Sequence, residues 1–171
     1  MEARKSDDLL KRNFTAEKPL SKCLTDITEI KAKNGRPYVS AIFDCYDLTA
    51  IGLAMDENMK AELCAATVEN AAAAYPDFDG AVLHSDRGSQ YTSELYRCSL
   101  NEFNVRQSMN SADGRCHDNA RCESMWARMK NELFYSRGRR STDYTTEQLK
   151  TMIWRYYMSY WNNRRICSAI G

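Results

Sequence analysis

No run of apolar residues in this 171-residue chain approaches the roughly 18 that a membrane helix requires. The first fourteen residues, Met1 to Phe14, are charged where a secretory signal would be apolar. Both absences lead to the expectation of a cytoplasmic protein without membrane contact. There is no Cys-x-x-Cys pair among the seven cysteines, an odd number, and several sit in apolar segments as small hydrophobes. A disulfide scaffold is excluded and a reducing compartment is implied. Histidine is scarce, with two residues, and the Cys116-His117-x4-Cys122 spacing matches no common structural zinc pattern. His84 is expected to pack within a strand. Net charge is also small, +1, but it is unevenly spread. Residues 1–85 carry 10 basic and 14 acidic side chains, whereas residues 86–171 carry 14 and 9. A polyanion would bind the second half.

What is present suits one folded domain: 43% hydrophobic and 27% charged residues in a length typical of a single core. Residues 1–20 show no sustained period and read as a lead or linker, leaving 21–171 as the core domain. Cys23–Ile30 alternates and is rich in β-branched residues. Asn34-Gly35 supplies a hairpin turn into a strand over Tyr38–Tyr46, and a third strand follows over Ala50–Met55. Asn58–Tyr75 has helical spacing and stops at Pro76. Short strands at Ala81–His84 and Val105–Ser108 flank a helix capped by Ser93. Two further helices are expected, one from Asp118 or Asn119 to about Tyr135 and one from Thr145 to about Asn162. The order implies an α/β fold, a mixed five-stranded sheet covered by helices, with its site at the carboxyl ends of the parallel strands.

Three carboxylates converge on that edge. Asp26 is mid-strand in Leu-Thr-Asp-Ile-Thr, Asp86 ends the Val-Leu-His-Ser strand, and Glu123 lies one turn into a helix. Singly, each has an ordinary explanation: an arginine partner for Asp26, a helix cap at Asp86, solvent exposure at Glu123. Jointly, with few histidines, they suit Mg²⁺ or Mn²⁺ held by oxygen ligands, and two such ions about 4 Å apart suit phosphoryl transfer.

Leu24-Thr25-Asp26-Ile27-Thr28, His84-Ser85-Asp86-Arg87-Gly88-Ser89-Gln90-Tyr91 and Asp118-Asn119-Ala120 with Glu123 resemble the catalytic core of insertion-sequence transposases of the retroviral-integrase (DDE) type. Met129 to Leu133 and the closing Tyr160-Trp161-Asn162-Asn163-Arg164-Arg165 extend the resemblance over nearly the whole chain. It implies a ribonuclease-H-like fold and a DDE polynucleotidyl transferase that cuts transposon ends and joins them to target DNA. It further implies a metal-binding triad at Asp26, Asp86 and Glu123, with 36 residues between the last two. Two Mg²⁺ or Mn²⁺ ions are then expected with DNA bound, in a homodimer or higher oligomer associated with the nucleoid.

Lys130, two helical turns after Glu123 and on its face, is placed by the resemblance against DNA near the cleaved end. Asn119 either orients a carboxylate or caps its own helix. Arg115, Arg137, Arg139 and Arg140 belong to a basic cluster suited to phosphates; Arg121 and Arg128 fit a solvated helix face equally well. Tyr156, Tyr157, Tyr160 and Trp161 are expected in the core. The sequence departs from the family pattern near Cys23, at His117 and at Cys167, which touches terminal packing and DNA-end contacts rather than the triad. No upstream helix-turn-helix precedes the core, so an isolated catalytic part is expected. Two readings stand beside this one: a catalytically silent remnant that binds DNA or dimerises, and a ribonuclease-H-like nuclease without strand joining.

Overall fold

The computed structural model describes residues 7–110 and 120–164. Five strands form one sheet in the order β3-β2-β1-β4-β5. The antiparallel part is β1 (Lys22–Glu29), β2 (Tyr38–Asp44) and β3 (Ala50–Asp56), and β4 (Val82–Ser85) and β5 (Arg106–Met109) run parallel to β1. The hairpin expected at Asn34-Gly35 is closed by Ile30 N–H to Pro37 O and Ala32 N–H to Gly35 O, at 3.0 and 2.8 Å. Helices α1 (Ala61–Ala74), α2 (Ser89–Thr92), α3 (Glu94–Glu102), α4 (Ala120–Leu133) and α5 (Thr146–Arg155) complete the fold. None of the helices described is long and apolar enough to cross a membrane.

Strand alternation sorts the core into two halves. Leu24, Val39, Ala41 and Phe43 point to one side, where Trp126 and Met129 of α4, Ile153 of α5 and Tyr157 cover them. Cys23, Ile42, Ile51 and Leu83 point to the other, against Cys64, Val68 and Ala71 of α1 and Leu100 of α3. A sheet covered on both faces explains why β2 is apolar on both sides from Val39 to Phe43, interrupted only by Ser40. Helix α1 comes close to the sheet at Gly52, where a Cβ would lie 2.7 Å from the Thr67 carbonyl oxygen and 3.0 Å from Ala71 Cβ. Gly52→Ala is therefore expected to push α1 outward and cost about 1–3 kcal/mol, read as a lower urea midpoint.

Two elements differ from the sequence expectation. Residues Ser89–Thr92 form a one-turn helix ahead of α3, which itself begins after Ser93, whose hydroxyl accepts from Tyr96 N–H. The last helix keeps its Thr145 cap, but after Arg155 it widens into a π-helical turn, Tyr156–Trp161. That widening lets Tyr156, Tyr157 and Trp161 all face inward, while Tyr160, expected in the core, is exposed. Just beyond it, the Asn162 side chain brackets Ala50 on the outer side of β3: Oδ1 accepts from Ala50 N–H and Nδ2 donates to Ala50 O, both at 2.9 Å. At the opposite edge, Met109 N–H of β5 donates to Asp7 O.

Candidate active site

The parallel register of β1 and β4 brings the two aspartates together. Leu24 pairs with His84, so two residues further along each strand Asp26 comes alongside Asp86. Asp86 Oδ1 accepts from Gly88 N–H at 2.7 Å, which folds the following loop tightly around the carboxylate. A Cβ at residue 88 would stand 2.9 Å from that oxygen and 2.7 Å from Gln90 Nε2, so the loop conformation favours glycine there.

Glu123 arrives from the other side on the exposed first turn of α4. The helix is held to β1 by two bonds: Trp126 Nε1–H donates to Asp26 Oδ2 at 3.2 Å, and Lys130 Nζ donates to Thr28 Oγ1 at 3.3 Å. The match is metrical. Four helical residues rise about 6 Å, and two strand residues span about 6.6 Å, so Trp126 and Lys130 keep step with Asp26 and Thr28 on one face of β1. Apolar Cys122, Met125, Trp126 and Met129 bury the rest of that face and fix the rotation of α4.

Burial raises the Asp26 carboxyl to about 6, more than the Ile27 amide and the Trp126 indole lower it; the nearby Asp86 and Glu123 carboxylates push the same way as burial. Among the described residues no basic side chain is one of the groups that shift it. An all-oxygen set of three acids is the donor chemistry of a hard divalent cation and not of zinc. Among the described residues no three ligating side chains stand close enough to enclose an ion.

Lys130 is half-buried, and burial lowers its ammonium pKa against the opposing pull of Glu29. Arg137, Arg139 and Arg140 are exposed in the turns after α4. Arg137 Nε donates to Glu132 O, and Arg140 pairs with Asp143 at 3.7 Å. Arg115 and Asn119 lie outside the described residues.

Arg121 and Arg128 both have structural partners. Arg121 donates to Phe14 O and lies over its ring, and Arg128 pairs with Glu132 and lies over Trp161 at 5.0 Å. His84 is buried, with Nδ1 at 2.7 Å from Ser108 Oγ and Nε2 at 2.7 Å from Asn110 Oδ1, as a packed strand residue should be. Burial pushes the thiols of Cys45 and Cys64 up to about 12, and all cysteines among the described residues are free. Sequence reasoning missed Trp126 and Phe14. The signal for Trp126 was available: three residues after Glu123 and four before Lys130, it sits on the helical stripe between them.

A family model described as the integrase core domain matches residues 16–116. A transposase-like protein of Haemophilus influenzae is 37% identical over 163 residues, 94% of this chain and 71% of its own length. A protein of Shigella flexneri described as the probable transposase for insertion sequence element IS1353 is 35% identical over 164 residues; the match covers 96% of this chain but only 31% of the relative. Among solved structures, the HTLV-2 integrase catalytic core domain, determined in complex with magnesium in a dimeric form, superposes with a TM-score of 0.56 at 11% identity. That superposition covers 80% of this chain and 85% of the other, and it identifies the sheet and its helices as a ribonuclease-H-like fold.

Proposed function

The chain belongs to the integrase core domain family, as insertion-sequence transposases do, and on that premise we propose that it catalyses metal-dependent DNA strand cleavage and strand transfer with Asp26, Asp86 and Glu123 as its acidic triad. The observation that carries the reading is Asp26 itself. A carboxylate inside a central strand, raised to about 6 with two more acids acting on it and no cation doing so among the described residues, is a costly arrangement unless something positive joins it. In this reading Asp26 would serve both ions, with Asp86 and Glu123 completing one each. A pair of Mg²⁺ or Mn²⁺ ions supplies, at such a site, activation of the attacking oxygen and charge stabilisation on the leaving oxygen. The presence of magnesium in the HTLV-2 core structure is consistent with this choice of metal.

The remaining side chains hold DNA. Trp126 fixes the Asp26 carboxylate by its indole N–H on Oδ2. Lys130 presents an ammonium at Thr28, two residues along β1 from Asp26, and Arg137, Arg139 and Arg140 extend the positive charge beyond α4; Arg115 and Asn119 belong to the same proposal. The natural assembly is a homodimer or higher oligomer acting on transposon ends and target DNA at the nucleoid. The test is a strand-joining assay with 3′-hydroxyl-ended duplex in Mn²⁺. Joined product is the expected result. Cleavage without joining would favour a nuclease, and metal binding without either would favour a silent remnant.

Lys130→Ala is expected to weaken binding to random duplex at low salt and to flatten the plot of log affinity against log salt by about one unit, since one phosphate contact is lost. Its Mn²⁺ affinity should equal that of the wild type. A matched titration at two salt concentrations checks both, and equal loss of metal affinity would place Lys130 in the triad's own charge network.

A further inference from the structure

The segment ahead of β1 touches all three elements that carry the acids, on the N-terminal side of each acid. Lys22, the first residue of β1, donates from Nζ to Asn13 O and Thr15 O at 3.3 and 3.1 Å. The Phe14 ring meets the His84 ring of β4 edge-on, with centroids 5.7 Å apart. Arg121 of α4 donates from Nη1 to Phe14 O at 3.0 Å and lies over the Phe14 ring, 5.9 Å from its centroid. Lys22 is four residues before Asp26, His84 two before Asp86, and Arg121 two before Glu123.

We propose that residues 13–15, centred on Phe14, are a positioning element that sets the spacing of the acidic triad by pinning β1, β4 and α4 to one another just upstream of Asp26, Asp86 and Glu123. The inference rests on reading those three acids as a metal site. Three like charges on three separate elements repel and would spread those elements apart. β1 and β4 are tied by backbone pairing, which extends only from Lys22–Val82 to Leu24–His84. α4 has no such ladder, and its bonds to β1 begin at Trp126, beyond Glu123. The Phe14 contact supplies the missing tie on the near side of Glu123. The segment is itself anchored: Leu10 is buried, Leu9 N–H donates to Ser108 Oγ, and that hydroxyl bonds His84. Phe14 therefore joins a fixed strap to a charged helix end through its ring and its carbonyl together.

The experiment compares wild type with Phe14→Ala, Phe14→Tyr and Arg121→Gln, each first shown to unfold cooperatively. Amide exchange is read at residues 124–127, whose N–H groups close the first turn of α4, in metal-free protein; Mn²⁺ affinity is read by calorimetry, with Asp26→Asn as the blank. In Phe14→Ala and Arg121→Gln we expect those amides to exchange at least about tenfold faster, relative to amides of β2, and Mn²⁺ to bind about tenfold more weakly. Phe14→Tyr, which keeps the ring, should restore both. Unchanged exchange overturns the pin. Faster exchange with undiminished Mn²⁺ affinity overturns its positioning role, because a purely structural strap would behave that way. Absence of Mn²⁺ binding by the wild type overturns the metal reading, and the positioning role with it.

Discussion

Asp26→Asn should abolish strand joining while making the folded chain more stable at neutral pH. A metal ligand of this kind is worth several kcal/mol in the transition state, so the rate should fall at least about a thousandfold. The stability change follows from the carboxyl's own titration. Its folded pKa, about 6, lies above the unfolded value of 3.8, so the folded state binds this proton more tightly. The resulting stabilisation is fully present below pH 3.8 and is lost as pH rises through about 6. At pH 7.5 the wild type therefore carries the whole penalty of a buried charge. Asparagine removes it, for a gain on the order of 1–3 kcal/mol. Paired melts at pH 4 and pH 7.5 check the sign: the two proteins should converge at the lower pH and separate at the higher. A variant less stable than wild type at both would mean that Asp26 is held by a partner of opposite charge.

Trp126 should give the largest loss of stability. It is buried, and it packs edge-on against Phe43 at 5.6 Å and Tyr157 at 5.9 Å. Trp126→Ala is expected to cost about 3–5 kcal/mol. Trp126→Phe separates the packing from the hydrogen bond. It should cost much less, and by removing the one indole N–H on Asp26 it should move that carboxyl above 6. The alkaline shift is readable by NMR titration of the carboxyl carbon, and in the pH at which stability begins to fall. No upward movement in Trp126→Phe would show that the indole bond contributes nothing to holding the charge.

The three antiparallel strands and the long helix after them could be read along the chain because each is local. Alternation, a turn dipeptide, a Pro stop and a capping residue act within a few positions. The contacts that shape the site are of another kind. Trp126 meets Asp26 across 100 residues, and Arg121 meets Phe14 across 107. Nothing in a charged, aperiodic stretch such as Asp7 to Thr15 announces that it will lie against a strand end and a helix start. The π-helical turn was hidden for a related reason. Tyr156, Tyr157, Tyr160 and Trp161 look equally suited to a core, and only packing against the sheet decides that Tyr160 is the one left outside. Likewise, the charge on Arg121 and Arg128 is visible in the sequence, while their engagement by aromatic rings is not.

The bracketing of Ala50 by Asn162, and of Met109 by Asp7, bears on how copies of this molecule can meet. A sheet grows by offering unpaired backbone donors and acceptors along its rim, and an unguarded rim recruits strands from neighbouring molecules. Here an amide side chain occupies both backbone groups of Ala50 at one rim, and a main-chain carbonyl occupies the Met109 N–H at the other. An incoming strand finds those positions taken by the chain itself. A strand adding at these points would first have to displace the Asn162 side chain or the Asp7 carbonyl.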